Sequence, residues 1–140
     1  MNSKQLIVGN ETEEGIGKLF KKNGYWCYIT PHKVNGQPVD IIALKRRHNW
    51  LIDGKHLEEG SKSFPFSRIE PNQLTTMDYA MNFAGIETLG FGIAIGGDFT
   101  RFYWLSYQEY LEAIKNDLKS VKIANLRDLQ EVIDIEDRNW

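Results

Sequence analysis

Two aspartates, a lysine and the glycine between them carry most of the chemistry this chain offers. Asp40 closes the tripeptide Pro38-Val39-Asp40, and Asp53-Gly54-Lys55 follows after a basic interruption. Side chains alternate along a strand, so Asp40, Ile42 and Leu44 share one face and Val39, Ile41 and Ala43 the other. By the same rule Leu51, Asp53, Lys55 and Leu57 lie together. If VDIIAL and NWLIDGK pair as a hairpin across the turn-like Lys45-Arg46-Arg47-His48-Asn49, two carboxylates and an ammonium meet on a single apolar face. Buried charges without partners are costly. A hard cation such as Mg²⁺ or Mn²⁺, held by Asp40, Asp53 and the Gly54 carbonyl, makes the arrangement useful. Such an ion lowers the pKa of a bound water and neutralises charge on a scissile phosphate. Lys55 can orient that water or steady the transition state. The predicted reaction class is metal-dependent phosphodiester hydrolysis.

Two further residues can serve this site. Glu13 reaches it if its helix packs over the strands, although Glu11 and Glu14 compete for the role. Gln73, at a helix start, is placed to hold a water or phosphate by hydrogen bonding. Against this stands a plainer picture, with Asp53 and Lys55 as an edge-strand ion pair and Glu13 and Gln73 as solvated helix residues.

The elements that must position these residues are readable in outline. Residues 12–23 predict a helix with Glu13, Ile16, Gly17 and Phe20 on one face, stopped at Gly24 and weakened by Gly15 and Gly17. YWCYIT, residues 25–30, predicts an outer strand. Asn35-Gly36 makes a turn before the hairpin. Residues 58–72 have no clean period and predict an irregular loop near the functional edge. QLTTMDYAMNFAG predicts a helix with Gln73 in its first turn and Gly85 as its stop. TLGFGIAIGG predicts a central strand whose glycines permit close packing, and RFYWL another. Ser106 and Glu109 form a capping box opening the YQEYLEAIKNDL helix, and LRDLQEVI predicts a last short helix. Alternating helices and strands give an α/β fold with a mixed central sheet flanked by helices.

Length and composition set outer limits. At 140 residues, 41% hydrophobic and 26% charged, the chain reads as one globular domain, 1–140, with an acidic C-terminal helical segment from 119. No apolar run is long enough to cross a bilayer, and the N-terminus lacks an apolar stretch of signal-peptide length, so a cytoplasmic setting is expected. Cys27 is the only cysteine, which excludes a disulfide framework and a thiolate zinc cluster. His32, His48 and His56 lack metal-ligand spacing, and GFGIAIGG lacks the lysine of a phosphate-binding loop, so no nucleotide cofactor is expected. Net charge is −2, yet the lysines and arginines concentrate before residue 70 and the acids late. One basic face can coexist with an acidic tail.

With Glu13, the PVD ending at Asp40, the DGK of residues 53–55 and Gln73 in hand, the sequence resembles the PD-(D/E)XK nuclease superfamily. Within it, SFPFSRIEPNQLTTM, residues 63–77, most resembles the RecU-like Holliday junction resolvases of Gram-positive bacteria and their phages. GGDFTRFYWLSYQEYLEA is similar to the tail of such domains, and the likeness spans about residues 9–118. The resemblance implies a restriction-endonuclease-like fold, a homodimer acting on branched or duplex DNA, and Mg²⁺ at Asp40, Asp53 and Gly54. It implies support from Glu13, catalysis by Lys55 and a supporting place for Gln73. Lys33, Lys45, Arg46, Arg47, Lys62 and Arg68 are candidate DNA contacts. Three features depart from the resolvase pattern: Asp53 where Glu is usual, a short 30–38 connection, and an acidic chain. Three readings therefore stand side by side: a junction resolvase, a nuclease for flaps, ends or duplex, and a non-catalytic DNA- or protein-binding member.

Overall fold

The period-two segments assemble into a six-stranded sheet. In the computed structural model, residues 3–31 and 39–139 are described, with side chains from residue 11 onward. The strands are β1 (Trp26–Ile29), β2 (Ile41–Lys45), β3 (His48–Leu57), β5 (Thr88–Ile95), β6 (Asp98–Ser106) and β8 (Arg127–Asp128), paired in that order. All neighbours are antiparallel except β3 and β5, so the sheet is mixed. The short strands β4 (Ser63–Pro65) and β7 (Ser120–Lys122) pair separately. Helices α1 (Ser3–Lys22) and α4 (Leu129–Arg138) cover one face, with Ile16, Phe20, Trp50, Trp104, Leu129 and Ile133 between them. Helices α2 (Pro71–Phe83) and α3 (Tyr107–Lys115) cover the other, over Met77, Leu89, Phe91, Ile93, Leu105 and Tyr110.

The hairpin has the register its alternation requires. Ile41 opposes Ile52 and Ile42 opposes Leu51, which puts Asp40 across from Asp53. Its turn is tighter than the five-residue basic stretch: Lys45 and His48 are the last pair, leaving Arg46 and Arg47 as the loop. The predicted outer strand is indeed the sheet edge, β1. The capping box at Ser106 is present, the Glu109 amide donating to Ser106 Oγ at 3.0 Å.

Most boundaries move by a few residues, and three of the differences have a local reason. The first helix begins at Ser3 rather than near Thr12; that stretch has no proline to stop it, and Lys4, Gln5, Leu6 and Glu11 are good helix formers that carry it through Gly9. Residues 58–72 are not an irregular loop throughout. They hold β4, a 3-10 turn at Phe66–Arg68 and the start of α2, where Pro71 takes a first-turn position that needs no amide hydrogen. The final helix starts at Leu129 because Arg127–Asp128 pairs with β6. The acidic C-terminal stretch is structural. Leu129, Val132 and Ile133 enter the core, and Asn23 exchanges side-chain hydrogen bonds with Gln130.

Gly15, which weakens the helix on propensity alone, has a packing reason. A Cβ there would overlap the Phe99 carbonyl oxygen and lie 2.8 Å from Phe102 Cζ. Gly15→Ala should therefore lower stability by about 2 kcal/mol through overpacking, although alanine favours the helix by about 1 kcal/mol. A urea midpoint that stays put or rises would refute this contact.

Candidate active site

The site forms where β2 ends and β3 continues. From Asp53 to Leu57, β3 keeps only β5 as a sheet partner among the described residues, which opens a notch beside Asp40. Asp40 sits just outside β2, held by its surroundings. Its amide donates to the Ile52 carbonyl at 3.2 Å, and the Thr30 amide donates to its carbonyl at 2.8 Å. The Gly54 amide donates to Asp40 Oδ2 at 2.8 Å. A Cβ at Gly54 would come within 3.3 Å of Thr12 Cγ2 and 3.6 Å of Asp40 Oδ2, so glycine lets α1 and Asp40 close on the strand.

The two helices reach this notch from opposite faces. α1 brings Glu13, which is buried, whereas Glu11 and Glu14 are exposed; packing resolves the choice the sequence left open. α2 brings Gln73 at the third position of its first turn, inside a capping box with Glu70. Gln73 Nε2 donates to Asp53 Oδ1 at 2.8 Å, and Lys55 Nζ donates to Gln73 Oε1 at 3.1 Å. Lys55 Nζ also pairs with Asp53 Oδ2 at 3.0 Å. Asp53 is fully buried.

Crowded carboxylates in a dry place resist ionisation. Burial first, then the charge of Asp40, a hydrogen bond to it and the charge of Asp53, push the Glu13 pKa from 4.5 up to about 9. Burial and Asp40 also hold Asp53 well above the ordinary carboxylate range, against the opposing pull of Lys55. Among the described residues no three His, Cys, Asp or Glu side chains surround a common point in the manner of a metal cage. The expected ligand set is smaller, two aspartates and a backbone carbonyl. Its donors are all hard oxygens, and a cation there would relieve the repulsion that now keeps protons on. On that chemistry Mg²⁺ or Mn²⁺ fits.

The basic candidates divide. Arg68 is exposed near the site, its Nη2 donating to the His56 carbonyl at 3.0 Å, and Lys62 is exposed just before β4. Arg46 and Arg47 lie at the far end of β3, roughly 20 Å from Asp53 at about 3.3 Å per residue. Lys45 is engaged elsewhere: its Nζ donates to the Asn23 carbonyl at 2.8 Å and Asp137 Oδ2 at 3.1 Å, and sits over the Tyr25 ring. Lys33 falls outside the described residues. Sequence reasoning missed Thr12 and Thr30, buried or half-buried beside Gly54 and Asp40. Thr12 adjoins Glu13 on the inward side of α1, a weak signal. For Thr30 the sequence holds none.

No protein-family model matches the chain, and no curated protein sequence matches it significantly. Among solved structures it is similar to Hjc, a Holliday junction resolvase from the archaeal hyperthermophile Archaeoglobus fulgidus. The TM-score is 0.59 at 16% identity, over 90% of this chain and 95% of that one. Identity this low speaks to the fold. The mixed sheet flanked by helices is the restriction-endonuclease-like architecture.

Proposed function

We propose that this chain is a divalent-metal-dependent endodeoxyribonuclease whose preferred substrate is a four-way DNA junction. The observation that carries the reading is the meeting of Glu13, Asp40, Asp53, Lys55 and Gln73 at one notch. The fold neighbour is named a junction resolvase, which supports the substrate class. The Phe64-Pro65 stretch before Gln73 favours the RecU-like group and a bacterial or phage origin.

Asp40, Asp53 and the Gly54 carbonyl would hold Mg²⁺, with Mn²⁺ as a substitute. When bound, the ion supplies a water of lowered pKa and positive charge for the phosphate. The remaining work falls to side chains. An ammonium has three N–H groups; Lys55 directs two at Asp53 and Gln73, which leaves one for a phosphate oxygen or the attacking water. Gln73 is a positioning residue, fixing Asp53 and Lys55 relative to one another. Glu13 holds Asp40 in place and keeps a proton until positive charge arrives. Lys62 and Arg68 would grip the flanking backbone. Two copies, each nicking one strand, would leave 5′-phosphate and 3′-hydroxyl ends.

The short connection between Thr30 and Asp40 favours a second reading, the same chemistry on flaps, ends or linear duplex. It leaves little chain for an arm into a junction centre. The test is cleavage of a labelled junction and a matched duplex with Mg²⁺, with Mn²⁺ and in EDTA. Paired nicks confined to the junction and absent in EDTA are expected. Equal cutting of both substrates would leave a general nuclease, and no cutting by folded protein with either metal would end the catalytic reading.

A further inference from the structure

The sheet face beside the notch carries two aromatic rings that the proposed chemistry does not use. Cys27 Sγ lies 3.8 Å from the Gly17 carbonyl of α1, and a Cβ at Gly17 would come within 3.0 Å of Ile29 Cδ1. Those two residues of β1 therefore face α1, and by alternation Trp26 and Tyr28 face the other way. Tyr28 opposes Ile42, which opposes Leu51, and Trp26 opposes Leu44. Asp53 follows Leu51 by two residues on this same face, where Gln73 meets it. The rings and the notch thus open on one side of the sheet. Tyr28 is the nearer ring. It stands two residues, roughly 7 Å, before Thr30, whose amide donates to the Asp40 carbonyl. Trp26 stands one step further, toward the hairpin loop.

These rings are bare. Trp26 is 60% exposed, Tyr28 46% and the neighbouring Leu44 39%. Scattered exposed apolar residues are ordinary, but two aromatics at period-two spacing make a surface. That surface is uncharged: β1 and residues 41–44 hold no Asp, Glu, Lys, Arg or His. Lys45, at the end of β2, turns to the other face to meet Asp137. Charge returns at both ends. Lys55 stands in the notch, and Arg46 and Arg47 are exposed in the hairpin loop. From Asp40 to the start of that loop is roughly 17 Å along β2.

A continuous duplex turns its phosphates outward and keeps its bases stacked inside, so it has little to set against a neutral aromatic floor. Unpaired nucleotides do. Their π faces stack on aromatic side chains while their phosphates follow nearby cations. Sheets that bind single-stranded RNA use the same device, with roughly two or three bases stacked on rings of an open face. Here bare rings lie between a notch suited to phosphate cleavage and a loop with two arginines, in that order along the strands.

We infer that Trp26 and Tyr28 form a stacking platform for unpaired nucleotides of the DNA substrate, adjoining the scissile phosphate. Tyr28 takes the base next to the notch and Trp26 the one beyond it, with Arg46 and Arg47 on the phosphates that follow. The inference deepens the DNA-cleaving reading and rests on it. It names what the enzyme selects, a branch point or flap that exposes bases, over continuous duplex. It also gives the hairpin arginines a place on the substrate despite their distance from Asp53.

The test is equilibrium binding in EDTA, which needs no catalysis. Three fluorescein-labelled probes are compared: a duplex with a four-nucleotide unpaired flap, the same duplex without it, and the duplex with an abasic flap. The abasic flap keeps every phosphate and loses every base. With the flap on the 5′ or the 3′ end, wild type should bind one polarity at least tenfold more tightly than the other two probes. Trp26→Leu and Tyr28→Leu keep apolar surface without the π face. Each should weaken flap binding at least about fivefold and leave abasic-flap binding unchanged. Trp26→Phe and Tyr28→Phe should recover most of the loss. Circular dichroism and melting temperature should stay near wild type, since both side chains are exposed. Flap and abasic flap bound alike in both polarities, or leucine variants that bind the flap as wild type does, would overturn the inference, whatever the protein cuts. Base-dependent binding by a protein that cuts no DNA with Mg²⁺ or Mn²⁺ would uphold the platform and remove the nuclease reading.

Discussion

Asp53→Asn is expected to lower junction cleavage by at least about 10³-fold with the fold intact. The substitution keeps volume and an oxygen that can accept from Gln73 Nε2, so the buried position stays filled. What it removes is the charge. A neutral amide is a poor ligand for a hard cation, and it gives Lys55 no counter-ion. Removing one group that stabilises transition-state charge typically costs 10²–10³-fold. Losing a metal ligand as well exceeds that. The binding half of the effect has its own readout: wild-type protein should melt at a higher temperature with millimolar Mg²⁺ than in EDTA, because an ion that binds only the folded state stabilises it. Asp53→Asn should lose that increment. A folded variant cutting within tenfold of wild type would show that Asp53 is not the anchor.

How much of this was legible in the sequence depended on whether the signal was local. The hairpin register follows from strict alternation, because a slip of one residue would turn Asp53 and Lys55 onto the other face. Gln73 in a first turn is equally local, set by Pro71 and the Glu70–Gln73 box. Glu13 was half legible. Ile16 and Phe20 define the buried stripe, but only the packed helix separates Glu13 from Glu11 and Glu14. Partners far along the chain left no trace. β4 meets β7 across a long separation with three residues each, too few for a period to show. Lys45 reads as part of a basic turn until Asp137 arrives on α4, a helix whose acidic composition concealed its core positions. Sequence neighbours suggest a charge's role; spatial neighbours determine it.

Without metal, the protein should lose stability as pH rises from about 5 to 9, the reverse of the usual carboxylate behaviour. Glu13 has its folded pKa raised from 4.5 to about 9, so between those values the folded state binds a proton that the unfolded chain has released. Stability falls wherever the folded state holds more protons, by up to about 1.4 kcal/mol per pH unit for each proton. The contribution is whole below the unfolded pKa and gone once pH passes the folded one. Asp53, raised for the same reasons, adds to the slope over its own window. Melting in EDTA at pH 5, 7 and 9 should show a steady decline. Glu13→Gln keeps a hydrogen-bonding group but cannot ionise, so it should flatten the decline and melt above wild type at pH 9. Saturating Mg²⁺ should flatten the wild-type curve as well, since a cation among the carboxylates removes the reason to retain protons. A wild-type curve level or rising toward pH 9, or an unchanged slope in Glu13→Gln, would mean that these carboxylates do not share one field. The crowding that makes the notch a cation site would then be absent.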